Sequence, residues 1–153
     1  MEWAALIAWV VTAGGGFVLL SIWLARGGLR QQREPGSRIR PPLIFSHFLL
    51  AATGLVFWII YIATDTKALA WIAFAILAVV AVLGWTMFFI WFPRYQARQQ
   101  GRTTEVTAHA ATAPTAGPEP AEQHFPVSIV ALHGVLAVTT VVLVFLTAIG
   151  VGD

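Results

Sequence analysis

The chain of 153 residues has the length of a single domain and the composition of a membrane protein. Hydrophobic residues account for 58% of it and charged residues for only 10%, whereas a soluble domain carries about a quarter charged residues. The chain has no cysteine, which excludes disulfides, thiol redox chemistry, iron–sulfur clusters and cysteine-based zinc sites. We therefore expect the lipid bilayer to surround most of the chain, and we expect no nucleic acid partner.

Four segments reach the roughly 20 apolar residues that a helix needs to cross a bilayer. Prolines bound three of them: Pro42 precedes the second segment, Pro93 follows the third and Pro126 precedes the fourth. The sequence predicts an all-α, polytopic membrane protein that folds as a four-transmembrane-helix bundle. The predicted spans cover about 3–24, 43–63, 68–92 and 127–151.

Arginine is distributed unevenly among the segments that connect the spans. Five arginines lie between the first two spans and three between the last two, whereas the turn after the second span holds only Lys67. The positive-inside bias places the arginine-rich segments in the cytoplasm and both termini outside it. We expect a bacterial multi-pass protein of the plasma (inner) membrane whose arginine clusters bind anionic lipid. These arginines are Arg26, Arg30, Arg33, Arg38, Arg40, Arg94, Arg98 and Arg102.

The sequence contains an internal repeat. The pattern Ile-Trp-x-x-Arg-x-x-x-Arg-Gln-Gln occurs at 22–32 and again at 90–100, and the same register aligns Gly16 with Gly84. Four of the repeated positions are polar, so the match does not follow from a shared apolar bias. The first span is therefore interpreted as the counterpart of the third.

The second and fourth spans match in the same way. The pattern His-x-x-Leu-Ala-x-Thr-x-x-Val occurs at 47–56 and at 133–142. We interpret the chain as a tandem duplication of a two-helix unit, with the units at 1–66 and 67–153 and a flexible cytoplasmic loop, 103–123, inserted in the second. Because each unit has an even number of spans, the repeats should be parallel and related by a pseudo-twofold axis along the membrane normal.

His47 and His133 are the only ionisable residues within the predicted spans, and the repeat makes them counterparts. An ionisable residue inside a bilayer is a candidate for function. Both rings should lie roughly 7–11 Å from the cytoplasmic end of their helices, about 3 Å apart in depth. Small residues four and seven positions further along should line the same helix faces. These are Ala51 and Gly54 beside the first histidine, and Ala137 and Thr140 beside the second.

One interpretation of this pair is axial ligation of a single b-type haem, with His47 and His133 on the haem iron. Arg38, Arg40 and Arg94 could then pair with the haem propionates. Bis-histidine cytochrome b subunits, such as membrane anchors of respiratory dehydrogenases, hold haem in this way, and the present chain resembles them in design rather than in sequence. This interpretation predicts an integral membrane subunit for electron transfer.

Two other interpretations remain open. The histidines could be structural and bond across helices to carbonyl groups or to Ser46, Thr53 or Thr139, as in a non-catalytic accessory or assembly subunit of a respiratory or other membrane complex. They could also form a quinone head-group site. Without acidic residues in the spans, a catalytic triad, a transporter and a proton pump are all disfavoured, so we do not expect a stand-alone enzyme.

Overall fold

The structure is a computed structural model that describes residues 1–31, 39–107 and 120–151. Within these ranges the chain forms four α-helices and one short 3₁₀ helix. The predicted all-α fold is confirmed, and all four α-helices are long and apolar enough to cross a membrane. The elements are α1 (Glu2–Ala25), α2 (Pro41–Thr64), α3 (Lys67–Thr107), the 3₁₀ segment (Ala121–His124) and α4 (Val127–Ala148).

Prolines set where α2 and α4 begin. Pro41 and Pro42 occupy the first turn of α2, where a missing backbone N–H costs no helical hydrogen bond. Pro126 lies at the N-cap of α4 with extended backbone angles. Both helices therefore start within two residues of the positions expected from the sequence.

Helix α3 does not end at Pro93, so the predicted stop there is wrong. The helix continues through this proline to Thr107 and reaches 41 residues. One proline removes a single backbone hydrogen bond and does not prevent a helix from continuing. The residues that follow include three Arg and three Gln, which favour helix, so α3 extends beyond its apolar stretch.

The predicted flexible loop, 103–123, is wrong at both of its edges. Residues 103–107 belong to α3, and Ala121–His124 forms the 3₁₀ segment, in which Ala121 and Glu122 are buried. The residues between them, 108–119, lie outside the described part of the chain.

The four helices follow one another around the bundle. Helix α1 packs most extensively against α4, and α2 against α3, while the contacts of α3 with α4 and of α1 with α2 are fewer. Helices α2 and α4 are therefore diagonal to each other. The helices alternate in direction, which gathers Arg26, Arg40 and Arg94 at one end, here called the arginine-rich end.

Large buried aromatic residues fill the half of the bundle near the chain termini. Trp9, Trp58 and Tyr61 are almost completely buried, and the rings of Trp58 and Tyr61 lie 5.0 Å apart. The indole N–H of Trp58 donates a hydrogen bond to the carbonyl of Glu2 at 3.3 Å, which satisfies its polar group. Burial of these rings supplies much of the apolar area that the helices share.

The 3₁₀ segment is held at the arginine-rich end by side chains of both repeated motifs. Trp91 donates its indole N–H to the carbonyl of Glu122 at 3.0 Å, and Arg98 donates to the carbonyl of Gln123 at 2.9 Å. The side-chain oxygen of Gln31 accepts a hydrogen bond from the backbone N–H of Ala121 at 2.9 Å. The chain that enters α4 is thereby tied to α3 and to the segment that follows α1.

The outer surface of the bundle is strongly apolar. Ile7, Val82, Phe89 and Val135 are each more than 60% exposed. An apolar surface of this extent is unfavourable in water and is typical of helices that face lipid chains.

Candidate functional site

The structure brings the two predicted site histidines together inside the bundle. His47 on α2 and His133 on α4 have ring centres 6.3 Å apart, with the ring planes inclined by 58°. Both side chains are half-buried, although their helices occupy diagonal positions. The rings therefore meet across the interior rather than through a direct helix–helix contact.

A backbone carbonyl group orients each imidazole. Nδ1 of His47 lies 3.0 Å from the carbonyl oxygen of Val80, and Nδ1 of His133 lies 2.9 Å from that of Thr12. A carbonyl oxygen only accepts hydrogen bonds, so Nδ1–H is the donor in both cases. In a neutral imidazole the lone pair is then on Nε2, which is engaged in no hydrogen bond among the described residues.

Glycines let both rings approach the backbone of a neighbouring helix. A Cβ atom built on Gly16 of α1 would lie 3.0 Å from Cε1 of His133, and one on Gly84 of α3 would lie 3.2 Å from Cε1 of His47. Contacts this short require a neighbour to shift. The absence of side chains at these two positions thus creates the space that the imidazoles occupy.

The two histidines have matching surroundings. His133 contacts the carbonyl group of Thr12 and packs against Gly16, four residues later in α1. His47 contacts the carbonyl group of Val80 and packs against Gly84, four residues later in α3. The two glycines are also the pair that the repeated sequence pattern aligns.

The small residues predicted beside the histidines lie on the inner faces of the helices but serve mainly in packing. Gly54 is buried against α1, and a Cβ there would lie 3.0 Å from the ring of Trp9. Thr140 is buried as well, and its hydroxyl lies 3.3 Å from the hydroxyl of Thr12. Ala51 and Ala137 are half-buried.

Two of the hydroxyl partners considered for a structural histidine pair, Thr53 and Thr139, do not have that role. The hydroxyl groups of Thr53 and Thr139 donate to carbonyl groups one turn back in their own helices, those of Leu49 and Val135. Both threonines are exposed. The polar partners of the imidazoles are therefore backbone atoms of α1 and α3.

The three arginines predicted to lie near the histidine pair differ in their distance from it and in their burial. Arg40 is the exposed N-cap residue of α2, seven residues before His47 and so about 10 Å away along the helix axis. Arg94 is half-buried on α3 directly after Pro93. Arg38 lies outside the described residues.

The chemistry available at the pair is limited to two imidazole nitrogens. Across residues 1–31, 39–107 and 120–151, no three or more His, Cys, Asp or Glu side chains come close enough to hold a metal ion together. The site can therefore supply two ligands to a metal, or one donor or acceptor from each ring to an organic group.

Sequence reasoning allowed for carbonyl partners of the histidines but did not identify Thr12 and Val80, because a backbone acceptor leaves no mark in residue type. The aligned glycines were the available signal, since each lies one helical turn beyond the carbonyl that a histidine contacts. Comparison of the chain with protein-family models, curated proteins and solved structures gives no match.

Proposed function

We propose that this chain is an integral subunit of the plasma membrane that binds one b-type haem between His47 and His133 and transfers electrons. The observation that carries the proposal is the geometry of the two rings. Each donates Nδ1–H to a backbone carbonyl group and keeps Nε2 for a ligand. Histidines that bind a metal through one ring nitrogen typically donate the N–H of the other to a carbonyl group or a carboxylate.

The separation of the rings supports a shared metal. Two metal–nitrogen bonds of about 2 Å each would place the centres of two opposed imidazole rings about 6 Å apart. The ring centres of His47 and His133 are 6.3 Å apart. The pair is thus spaced for one ion between the rings.

The number of ligands favours haem over a bare ion. A structural zinc ion takes four protein ligands, whereas this site offers two imidazoles. Haem iron needs only its axial ligands from the protein, because the porphyrin supplies the others. When bound, haem supplies one-electron redox chemistry, which suits a site without catalytic acids or bases.

The residues of the chain hold and shield the group. The carbonyl groups of Thr12 and Val80 fix the tautomer of each ring, and the apolar helices bury both rings in part. Arg40 is the arginine we propose for a propionate, since it lies about 10 Å along α2 from His47. Arg38 is a further candidate, while Arg94 lies about 15 Å along α3 from the glycine that contacts His47.

We further propose that the bundle arose by tandem duplication of a two-helix unit, at 1–66 and 67–153, with parallel pseudo-twofold symmetry. The matching surroundings of the two histidines support this origin. The arginine-rich end is proposed to be cytoplasmic, with both termini outside, because cytoplasmic segments of membrane proteins carry an excess of Arg and Lys.

The proposal is tested by the absorption spectrum of the full chain, expressed with haem supply and purified in mild detergent. A Soret band and a sharp α-band on reduction with dithionite are expected, with about one haem per chain. A colourless protein would contradict the proposal. Detergent-solubilised membranes should give the same reduced-minus-oxidised difference before purification.

One observation favours a second candidate, a non-catalytic accessory or assembly subunit of a membrane complex. The hydrogen bonds to Val80 and Thr12 also tie helices together, as structural histidines would. This candidate predicts a colourless protein that co-purifies with a partner, and weaker co-purification after deletion of 108–119. A quinone head-group site at the same pair predicts quinone in the purified protein without haem.

A further inference from the structure

We propose that a groove between α1 and α2 binds the isoprenoid chain of a membrane lipid. The groove lies at the end of the bundle opposite the arginine-rich end, and its volume is about 430 Å³. Both helices contribute to its walls. Its lining residues are Trp3 and Leu6 of α1, and Ile59, Ile62 and Ala63 of α2.

The groove is open to the bilayer and its walls are apolar. Helices α1 and α2 pack less extensively than the other three pairs of neighbouring helices. Trp3 is 61% exposed and Ile59 is 49% exposed, so both line the mouth on the outer surface of the bundle. A polar group placed between such side chains would lose its hydrogen bonds to water, so the groove favours an apolar occupant that arrives from the lipid.

The other half of the chain has larger side chains at two of the corresponding positions. In the repeated pattern that aligns the first helix with the third, Phe74 corresponds to Leu6. In the pattern that aligns the second helix with the fourth, Phe145 corresponds to Ile59. Two phenyl rings therefore stand on α3 and α4 where the groove has two aliphatic side chains.

These two phenyl rings pack against each other and against a tryptophan. The ring centres of Phe74 and Phe145 are 5.2 Å apart, and they lie 5.9 and 6.4 Å from the ring centre of Trp71. Trp71 corresponds to Trp3 in the repeated pattern. The groove between α1 and α2 thus has the tryptophan but lacks the two phenyl rings, which leaves room for two flat apolar groups.

An isoprenoid chain supplies such groups. Each isoprene unit has a planar double bond that bears a methyl group, and its flat face can pack against an indole ring as a phenyl ring does. A saturated acyl chain has no planar unit. Trp3 is the second residue of α1 and Ala63 is the last but one of α2, so the polar head group lies beyond the groove, in the interfacial region of the membrane.

The test measures binding to the purified full chain by native mass spectrometry, with farnesol and pentadecan-1-ol as probes. The two alcohols have the same number of carbon atoms, but only farnesol is isoprenoid, so farnesol should bind more tightly. The double substitution Leu6→Phe with Ile59→Phe should weaken farnesol binding about tenfold, because the added rings take the place of two isoprene units. Unchanged farnesol binding in this variant, or equal binding of the two alcohols by the unsubstituted chain, would overturn the proposal.

The reverse substitution tests the same idea by a gain of binding. Phe74→Leu with Phe145→Ile should open a second groove, between α3 and α4, and raise the bound farnesol from one molecule per chain to two. A variant that still binds one molecule would show that the missing rings do not define the site.

Val18→Phe is the matched control for the added rings. It places a phenyl ring at a position of α1 that is 42% exposed and about 18 Å from Leu6 along the helix axis. Farnesol binding should be unchanged, and a loss equal to that of the double variant would contradict a site in the groove. None of these measurements depends on haem, so their outcome is independent of the function proposed for the histidine pair.

Discussion

Gly16 of α1 lies directly against the imidazole of His133, so that a Cβ atom on the glycine would be 3.0 Å from Cε1 of the ring. Gly84 has the same relation to His47 across the other helix pair, at 3.2 Å. Each ring is thus seated on helix backbone, with its Nδ1–H on a carbonyl group one turn away. The position of both imidazoles depends on residues that carry no functional group.

Alanine at Gly16 should displace the ring of His133. The methyl group requires the imidazole or α1 to move by a few tenths of an ångström. This movement disturbs the hydrogen bond between His133 and Thr12 and the position of the His133 ring relative to the His47 ring. If the pair binds haem, we expect a lower haem-to-protein ratio and a shifted reduction potential. Both are measured on the purified protein by absorption spectroscopy and redox titration.

Gly14→Ala is the matched control, because a Cβ at Gly14 meets nothing within 4 Å. Replacement of glycine by alanine within a helix stabilises by about 0.5–1 kcal/mol where space permits. The control should therefore keep its haem content and unfold at the same or a higher temperature. Equal effects of the two alanines would show that helix flexibility, not contact with His133, is responsible.

If the pair binds haem, removal of either imidazole should abolish the coordination of the iron by two histidines. In His47→Ala and in His133→Ala, one axial ligand of a bound haem is missing, so the sharp α-band of the reduced protein should disappear from each variant separately. The measurement is the dithionite-reduced spectrum at equal protein concentration. His124→Ala, in the 3₁₀ segment, should leave the band unchanged, and persistence of the band in either site variant would exclude that histidine as a ligand.

Trp91→Phe should destabilise the arginine-rich end of the bundle. The substitution removes the donor to the Glu122 carbonyl group and part of a ring that is only 4% exposed. We expect a loss of about 1–3 kcal/mol in the free energy of unfolding. Thermal unfolding in detergent, followed by circular dichroism, measures it. Trp85→Phe, at a tryptophan that is 51% exposed, should change the stability by no more than about 0.5 kcal/mol.

The orientation can be tested with single cysteines, because the chain contains none of its own. Thr66→Cys lies in the turn between α2 and α3, and Gly101→Cys lies on the extension of α3; both positions are exposed. In intact cells a membrane-impermeant maleimide should label the cysteine at position 66 and not that at 101. The reverse pattern would invert the proposed topology.

Much of the architecture could be predicted from the sequence, because crossing a bilayer imposes strict requirements on composition. Runs of about 20 apolar residues leave helix as the structure that satisfies the backbone without water. The histidines stood out because the predicted spans hold no Asp, Glu, Lys or Arg, and the repeat made them counterparts. Their depth followed from the rise of a helix, so their meeting at 6.3 Å could be expected.

The helix boundaries were less predictable where one residue favours the end of a helix and its neighbours favour its continuation. Pro93 is a common signal for the end of a helix, yet α3 continues through it, because the Arg and Gln residues that follow favour helix. The segment before α4 has a loop-like composition. Its last part, Ala121–His124, forms the 3₁₀ segment because Trp91, Arg98 and Gln31, distant in the chain, bind its backbone.

The sequence by itself determined that this chain forms four apolar helices, that arginine marks one end of them and that two histidines lie at a similar depth. Only the tertiary structure decided that α1 pairs with α4 and α2 with α3, and that the carbonyl groups of Thr12 and Val80 hold the rings. The physical reason is that apolar helix faces in lipid are nearly equivalent. Their partners are chosen by close packing at small residues and by hydrogen bonds to backbone atoms, neither of which is encoded in hydropathy.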